Sequence, residues 1–150
     1  MNDLIKIVQE IKELEEKREP EKILPYLSHP SFLVRETASK AIARRGKHLK
    51  EKILEILKTG YWYEKAACLD ILGEWGNQND INLFLFFLND KNSFIVEKAA
   101  IGLFNIIKRT PALPQDFEPG ILKKLYNIFV SLQKRGYADE LLKTYREFFK

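Results

Sequence analysis

The sequence predicts an all-α chain, an α-solenoid of helical hairpins with about three repeats between terminal caps. Three observations predict it. Apolar residues return at steps of three and four, and no stretch alternates as a strand would. Glycine and proline break the chain at short intervals. The phrase SFLVRETA at 31–38 comes back as SFIVEKAA at 93–100.

Taken in order, helices are expected near 3–18, 20–28, 31–45, 48–59, 61–75, 79–89, 93–109, 118–134 and 137–149. The first carries charge on most sides and reads as an N-terminal cap over 1–19. EKILPYL (21–27), EKILEIL (51–57) and INLFLFFL (81–88) read as the first helices of three hairpins. FLVRETASKAI (32–42), YWYEKAACLDI (61–71) and FIVEKAAIGLF (94–104) align without gaps as the second helices. Asp3, Ser31, Asp80 and Ser93 stand where a side chain accepts from the free N–H groups of a helix start. Gly46, Gly60, Gly76 and Gly136 stand where helices stop. The proline-rich TPALPQDFEPG (110–120) leads to a last hairpin, read as a C-terminal cap over 111–150. The repeats fill 20–110, and all 150 residues form one expected domain.

Each unit spans about 30 residues, a length usual for helical repeats. A single hairpin cannot bury its apolar face, so neighbours must cover it. Ala38, Ala67 and Ala100 share one aligned position and let helices approach closely, while Val34, Tyr63 and Val96 fill the space beside it. With these residues in view, YLSHPSFLVRETASKAIARRG resembles a HEAT repeat of the short type found in phycobilisome-lyase-like and archaeal or bacterial HEAT proteins. Val34, Arg35, Ala38 and Ala41 match that pattern, and Pro25 matches the proline that often bends the first helix. The resemblance covers roughly 20–110. It departs at the turn, where the family aspartate is replaced around Ser28 and His29, and at the Arg35 position, which becomes Glu64 and Glu97. The resemblance implies a non-enzymatic scaffold that binds a macromolecule, most often a protein, on a concave face lined by the second helices.

Composition narrows the function classes. One cysteine, Cys68, cannot make an internal disulfide. The N-terminal MNDLIKIVQEIKELEEKREP lacks the basic start and apolar centre of a signal peptide, and no apolar run reaches a membrane span, so a cytoplasmic protein without membrane contact is expected. Abundant Lys and Glu with one Cys and one Met fit a heat-adapted source. The net charge of +4 hides two basic segments, +5 over 35–58 and +4 over 119–150.

Candidate sites follow from these patterns. A partner-binding strip is expected next to the core face of the second helices: Ser39, Ala43, Cys68, Leu72, Ile101 and Asn105. A protein or peptide suits such a semi-apolar strip. The basic run Lys40, Arg44, Arg45, Lys47, Lys50 and Lys52 offers candidate phosphate contacts, and with 123–146 it supports nucleic acid as the alternative partner. The trio Tyr61-Trp62-Tyr63 reads as core, because an apolar triplet recurs at its aligned positions. Asp70 aligns with Ala41 and Leu103, so a carboxylate is expected at a part-buried place. An aspartate with two tryptophans resembles the constellation of HEAT-like alkylpurine DNA glycosylases, and that implies an enzyme as a third reading. Two histidines, His29 and His48, without Cys or His at ligand spacing exclude a metal site. The His-Glu pairs of HEAT-type di-iron hydroxylases are absent. No catalytic residue and no cofactor is expected.

Overall fold

The computed structural model describes residues 2–110 and 118–134. Every regular element among them is helical: α1 (Asp3–Glu16), α2 (Phe32–Arg45), α3 (Lys50–Thr59), α4 (Trp62–Trp75), α5 (Ile81–Phe87), α6 (Ser93–Arg109) and α7 (Pro119–Lys134), with short 3-10 turns between. The expected helix at 137–149, the stop at Gly136 and most of the proline-rich connection lie outside the described residues. Packing groups the chain into two compact units, Met1–Trp75 and Gly76–Lys150. Each is described by itself.

In the first unit, the cap of α1 is Asn2, one residue before the expected Asp3: its side chain accepts from Leu4 N–H at 2.9 Å. The helix ends in a Schellman arrangement, in which Arg18 N–H donates to Glu15 O and Glu19 N–H to Leu14 O, both at 3.0 Å. Arg18 sits at φ 58° to make that turn, a conformation usually given to glycine.

The stretch 20–28 is not an α-helix. It forms two 3-10 turns, Pro20–Lys22 and Leu24–Ser28. The cause is Pro25, which has no N–H for the carbonyl four residues back and whose ring would strike it. The bonds shorten to three-residue steps: Ile23 N–H to Pro20 O, Tyr26 N–H to Ile23 O, His29 N–H to Tyr26 O. Ile23 and Leu27 still point inward and are buried. A covered aliphatic side chain of this kind contributes roughly 1.5–3 kcal/mol.

Helix α2 buries Val34, Ala38, Ala41 and Ile42 and packs on both α1 and α4. It stops at Gly46, and α3 stops at Gly60. Neither glycine is left-handed, with φ of −113° and −74°. A side chain at Gly60 would instead meet the Ile56 carbonyl at 2.7 Å and Glu64 Cβ at 3.0 Å. Close approach, not turn chirality, is what requires glycine there. In α3, Ile53 and Leu57 are buried four residues apart.

Helix α4 buries Ala66, Ala67, Cys68, Leu69, Ile71, Leu72 and Trp75. It packs against α2 and α3. Two contacts fix its direction. At the helix starts, the Arg35 guanidinium lies 5.1 Å from the Tyr63 ring. At the ends, Trp75 Nε1–H donates to Ala43 O at 2.9 Å. So α2 and α4 run parallel, in register, with Ala38 and Ala67 both in the core.

The second unit opens with a capping box. Asn79 N–H donates to Asn77 Oδ1 at 2.8 Å, and Asn77 N–H to Asp80 Oδ2 at 3.0 Å. Asp80 is therefore the partner of the cap, which is Asn77. Helix α6 is capped by Asn92 and not by the neighbouring Ser93: Asn92 Oδ1 accepts from Phe94 N–H at 2.9 Å. Helix α6 packs on α5 and α7. Gly102 lies against the Phe84 ring. Arg109 Nη2 donates to Gly76 O at 2.6 Å. In α7, Leu125, Phe129 and Leu132 turn inward at helical spacing.

Candidate functional site

Three of the six residues of the expected partner strip are inaccessible, and the others are half-buried. Ser39, Cys68 and Leu72 are buried. Ser39 Oγ donates to Glu36 O at 3.0 Å, and the Ala43 carbonyl takes the Trp75 indole. Small side chains at Ser39 and Cys68 let packing close over them, as alanine does one position earlier. Ile101 and Asn105, on α6 in the other unit, are half-buried, and Asn105 is not without a partner. Burial, and after it the charge of Glu64, pushes the Cys68 thiol up to about 12. A disulfide-exchange reagent at pH 8 is therefore expected to label native Cys68 more than about a thousandfold slower than an ordinary thiol. Denaturant restores the ordinary rate. Fast labelling of the native chain would contradict the burial.

The basic run gathers where α2 turns into α3, as the sequence implies. Arg44, Arg45 and Lys47 are exposed, as are Lys40 and Lys52, while Lys50 is half-buried. Several of these cations are already matched. Arg44 grips Glu15 with two bonds, Nε to Oε2 and Nη2 to Oε1, both 2.7 Å. Arg45 lies 3.9 Å from the same carboxylate, and Lys40 lies 3.5 Å from Glu36. The neighbouring His48 Nε2 is 2.7 Å from Glu21 Oε1. The corner is a clasp between α1 and α2 more than an open cationic edge. Of the second basic segment, 123–146, only the part to 134 is described. There Lys124 is bonded to Asn89, and Lys123 and Lys134 are exposed.

The clasp carries a pH signature. The Arg44 hydrogen bond holds the Glu15 carboxyl below its ordinary value, outweighing desolvation. A depressed folded-state value means that the stabilisation is present above the unfolded carboxylate range, near pH 4.3. It is lost as pH falls through the lower folded value. Glu15→Gln is expected to cost about 1 kcal/mol at pH 7, discounted because the arginine is largely exposed. The difference from wild type should shrink as pH falls below the unfolded carboxylate range. Urea midpoints across pH test this, and a difference independent of pH would refute it.

Asp70 is half-buried on α4, as the alignment implies, and it is not without a partner. The two tryptophans stand at opposite ends of that helix, and Trp75 is buried with its indole bonded to backbone. Among the described residues, no three His, Cys, Asp or Glu side chains gather to hold a metal ion.

The accessible surface lies where the sequence reading placed core. Phe32 is 58% exposed, Leu33 52%, Tyr61 70% and Trp62 49%. These are the first two members of the aligned triplets, at the starts of the parallel helices α2 and α4. In α2 and α4 only the third member turns inward, with Val34 fully buried and Tyr63 half-buried, whereas in α6 the second member, Ile95, is the buried one. Helical geometry explains the division: successive residues are rotated by about 100°, so a triplet cannot face one core. That signal was present in the sequence.

The cluster is braced from within. Arg35 Nη1 donates to the carbonyls of His29 and Pro30, both at 2.8 Å. Its guanidinium lies 6.0 Å from the Phe32 ring and 5.1 Å from the Tyr63 ring, in cation–π range. Tyr61 and Tyr63 stack at 5.7 Å and 20°, and Trp62 meets Tyr63 edge-on at 5.7 Å. The turn holds its shape without an aspartate, since His29 Nδ1 accepts from Ser31 N–H at 3.0 Å. Asp90 takes the same part before α6, accepting from Asn92 N–H at 2.8 Å. The arrangement offers ring faces and apolar edges on a fixed frame. It presents no nucleophile–base pair among its own residues.

Comparison with family models, with curated proteins and with solved structures gives no match. No helix among the described residues is long and apolar enough to cross a membrane.

Proposed function

We propose that the chain is a HEAT-type helical-repeat protein that binds another protein through the exposed aromatic cluster of its first unit, without chemistry of its own. One observation carries the reading. Phe32, Leu33, Tyr61 and Trp62 remain exposed on adjacent parallel helices, around an arginine fixed by two carbonyls. Tyr, Trp and Arg are the residues that dominate binding energy in protein interfaces, and preorganisation lowers the entropy lost on docking. The parallel α2 and α4 and their paired alanines support the repeat reading. A reducing compartment, the cytoplasm, suits a chain whose one cysteine is a buried thiol.

Nucleic acid is the competing partner. The matched cations of the α2–α3 corner weigh against it, since a phosphate would have to displace Glu15 from Arg44.

A random peptide library displayed on phage, selected on the intact chain, tests the reading. Enriched peptides are expected to lose binding by at least tenfold when Tyr61 and Trp62 are both replaced by serine. Both side chains are exposed, so the fold should survive, and circular dichroism checks that. Enrichment indifferent to these substitutions would overturn the proposed surface. In parallel, wild type and the fourfold variant Arg44→Ala, Arg45→Ala, Lys47→Ala, Lys50→Ala are titrated with duplex DNA at two salt concentrations. Neither is expected to bind at physiological salt. Wild-type binding with a steep salt slope, flattened in the variant, would move the function to nucleic acid.

A further inference from the structure

We propose that the turn before α2 is a proton-operated latch on the aromatic cluster: a proton taken up at His29 Nδ1 displaces the Ser31 N–H and slackens the Arg35 brace of the rings. The proposal rests on the docking reading above and names a control of that site.

The first ground is a bond that excludes a proton. His29 Nδ1 accepts from Ser31 N–H at 3.0 Å. A backbone N–H only donates, so Nδ1 offers its lone pair here and the ring proton sits on Nε2. The imidazolium ion carries N–H on both nitrogens and has no acceptor left. Bond and proton therefore compete for one lone pair. Imidazole is the side chain that ordinarily changes charge near about pH 6.5.

The second ground is a comparison turn in the same chain. Before α6, Asp90 Oδ1 accepts from Asn92 N–H at 2.8 Å, over the same two-residue step. A carboxylate ordinarily titrates near about pH 3.9, so aspartate keeps an acceptor through the neutral range. The α6 turn has a further tie, Phe94 N–H donating to Asn92 Oδ1 at 2.9 Å. Ser31, the cap residue of α2, makes no such side-chain bond, and Pro30 has no N–H to contribute. The start of α2 therefore leans on His29 where the start of α6 has two side-chain acceptors.

The third ground is the connection to the rings. Arg35 Nη1 donates to the His29 and Pro30 carbonyls, both at 2.8 Å. Its guanidinium lies 5.1 Å from the Tyr63 ring and 6.0 Å from the Phe32 ring. The two carbonyls belong to the turn that the Ser31 bond closes, so release of Ser31 frees the acceptors of Arg35 with it.

The surrounding charges act in the same direction. The 3-10 turn Leu24–Ser28 packs on α2 and α4. From α2 come Arg35 and Glu36, the latter 3.5 Å from Lys40. From α4 come Tyr63 and Glu64, whose Oε1 accepts from Tyr61 N–H at 3.1 Å. The 3-10 turn itself brings Tyr26, whose hydroxyl donates to Glu10 of α1 at 3.1 Å. Arg35, already positive, grips the residue that takes the proton. Protonation sets two cations on one turn, and their repulsion favours the open form.

The isotopically labelled full chain, free of ligand, is compared at pH 8 and pH 5 with His29→Asp and His29→Ala. His48 stays in all three chains, so its titration cancels in the comparison. In wild type, exchange protection of the Ser31 amide, corrected for the intrinsic effect of pH, is expected to fall about threefold or more from pH 8 to pH 5. The ring resonances of Phe32 and Tyr63 should move with the same midpoint. His29→Asp should hold both constant, and His29→Ala at pH 8 should resemble acid wild type. Protection that stays unchanged in wild type, or that changes equally in His29→Asp, would overturn the latch. Phage-selected peptides that need Tyr61 and Trp62 should bind wild type more weakly at pH 5 than at pH 8, and His29→Asp equally at both. Such peptides binding wild type alike at both pH values would overturn the control and leave the docking reading standing. A library without such peptides would overturn the docking reading, and the Ser31 amide, read without ligand, would still decide the latch.

Discussion

Gly102→Ala is expected to destabilise the second unit by about 2 kcal/mol. Alanine in place of glycine inside a helix normally stabilises by up to about 1 kcal/mol, so the sign is itself the test. A Cβ at Gly102 would lie 2.9 Å from Phe84 Cδ1 and 3.1 Å from Cζ, and nearer still to Cε1. Phe84 is fully buried, so its ring cannot swing into solvent. Inserting carbon into such a contact costs about 1–3 kcal/mol, and at this separation the upper end offsets the propensity gain and exceeds it. Phe84→Leu trims the ring and should recover part of the loss in the double variant. Its own cost should remain below the 3–5 kcal/mol of a full Phe→Ala truncation. Urea unfolding followed by far-ultraviolet circular dichroism reads all three. A Gly102→Ala chain more stable than wild type would mean that α5 and α6 do not approach so closely.

Trp75→Ala is expected to cost about 3–5 kcal/mol, the largest effect in the first unit. The residue does two things at once. Its rings fill the end of the α2–α4 contact, and its indole N–H satisfies the Ala43 carbonyl. Trp75→Phe separates them. It keeps most of the apolar volume and loses the hydrogen bond, so about 1–2 kcal/mol is expected. Thermal and urea unfolding of both variants give the comparison. Equal losses would mean that the hydrogen bond carries the whole effect, and a harmless Trp75→Phe would mean that packing does.

Much of the helical layout was legible. The second helices were found to within one residue at their starts, because their aligned alanines and glycine stops repeat. Ala38 and Ala100 are fully buried, and Ala67 nearly so. The segment 20–28 was not legible as 3-10, since the periodicity of Ile23 and Leu27 is the same in either form and Pro25 decides between them. Caps slipped by one residue at Asp3 and Ser93, where an asparagine one place earlier does the work. The site was read least well. Alignment reports which residues are equivalent, not which way they face, so Tyr61 and Trp62 inherited the burial of Val34. The strip at Ser39, Cys68 and Leu72 failed for the opposite reason: small or apolar residues beside a core face are drawn into it. The basic run does gather at one corner, but the acids it meets come from distant sequence, Glu15 and Glu21, which no local pattern connects to Arg44 and His48.

Two side-chain bonds that reach back to backbone carbonyls have a consequence for insertions and deletions. Trp75 returns to Ala43, and Arg109 returns to Gly76. Each closes a loop of nearly constant length. One extra residue inside α4 would rotate everything after it by about 100° and swing the indole away from its carbonyl. One extra residue in the turn before Tyr61 changes only the path between helices. Drift in repeat length is therefore channelled away from the clasped second helices, and α2 and α4 both hold 14 residues. The steps of 29 and 33 residues between aligned valine, tyrosine and valine positions (Val34, Tyr63, Val96) differ in the manner this predicts. The aligned helices carry no gap, and the whole difference falls in the connections and in the first helix of each pair.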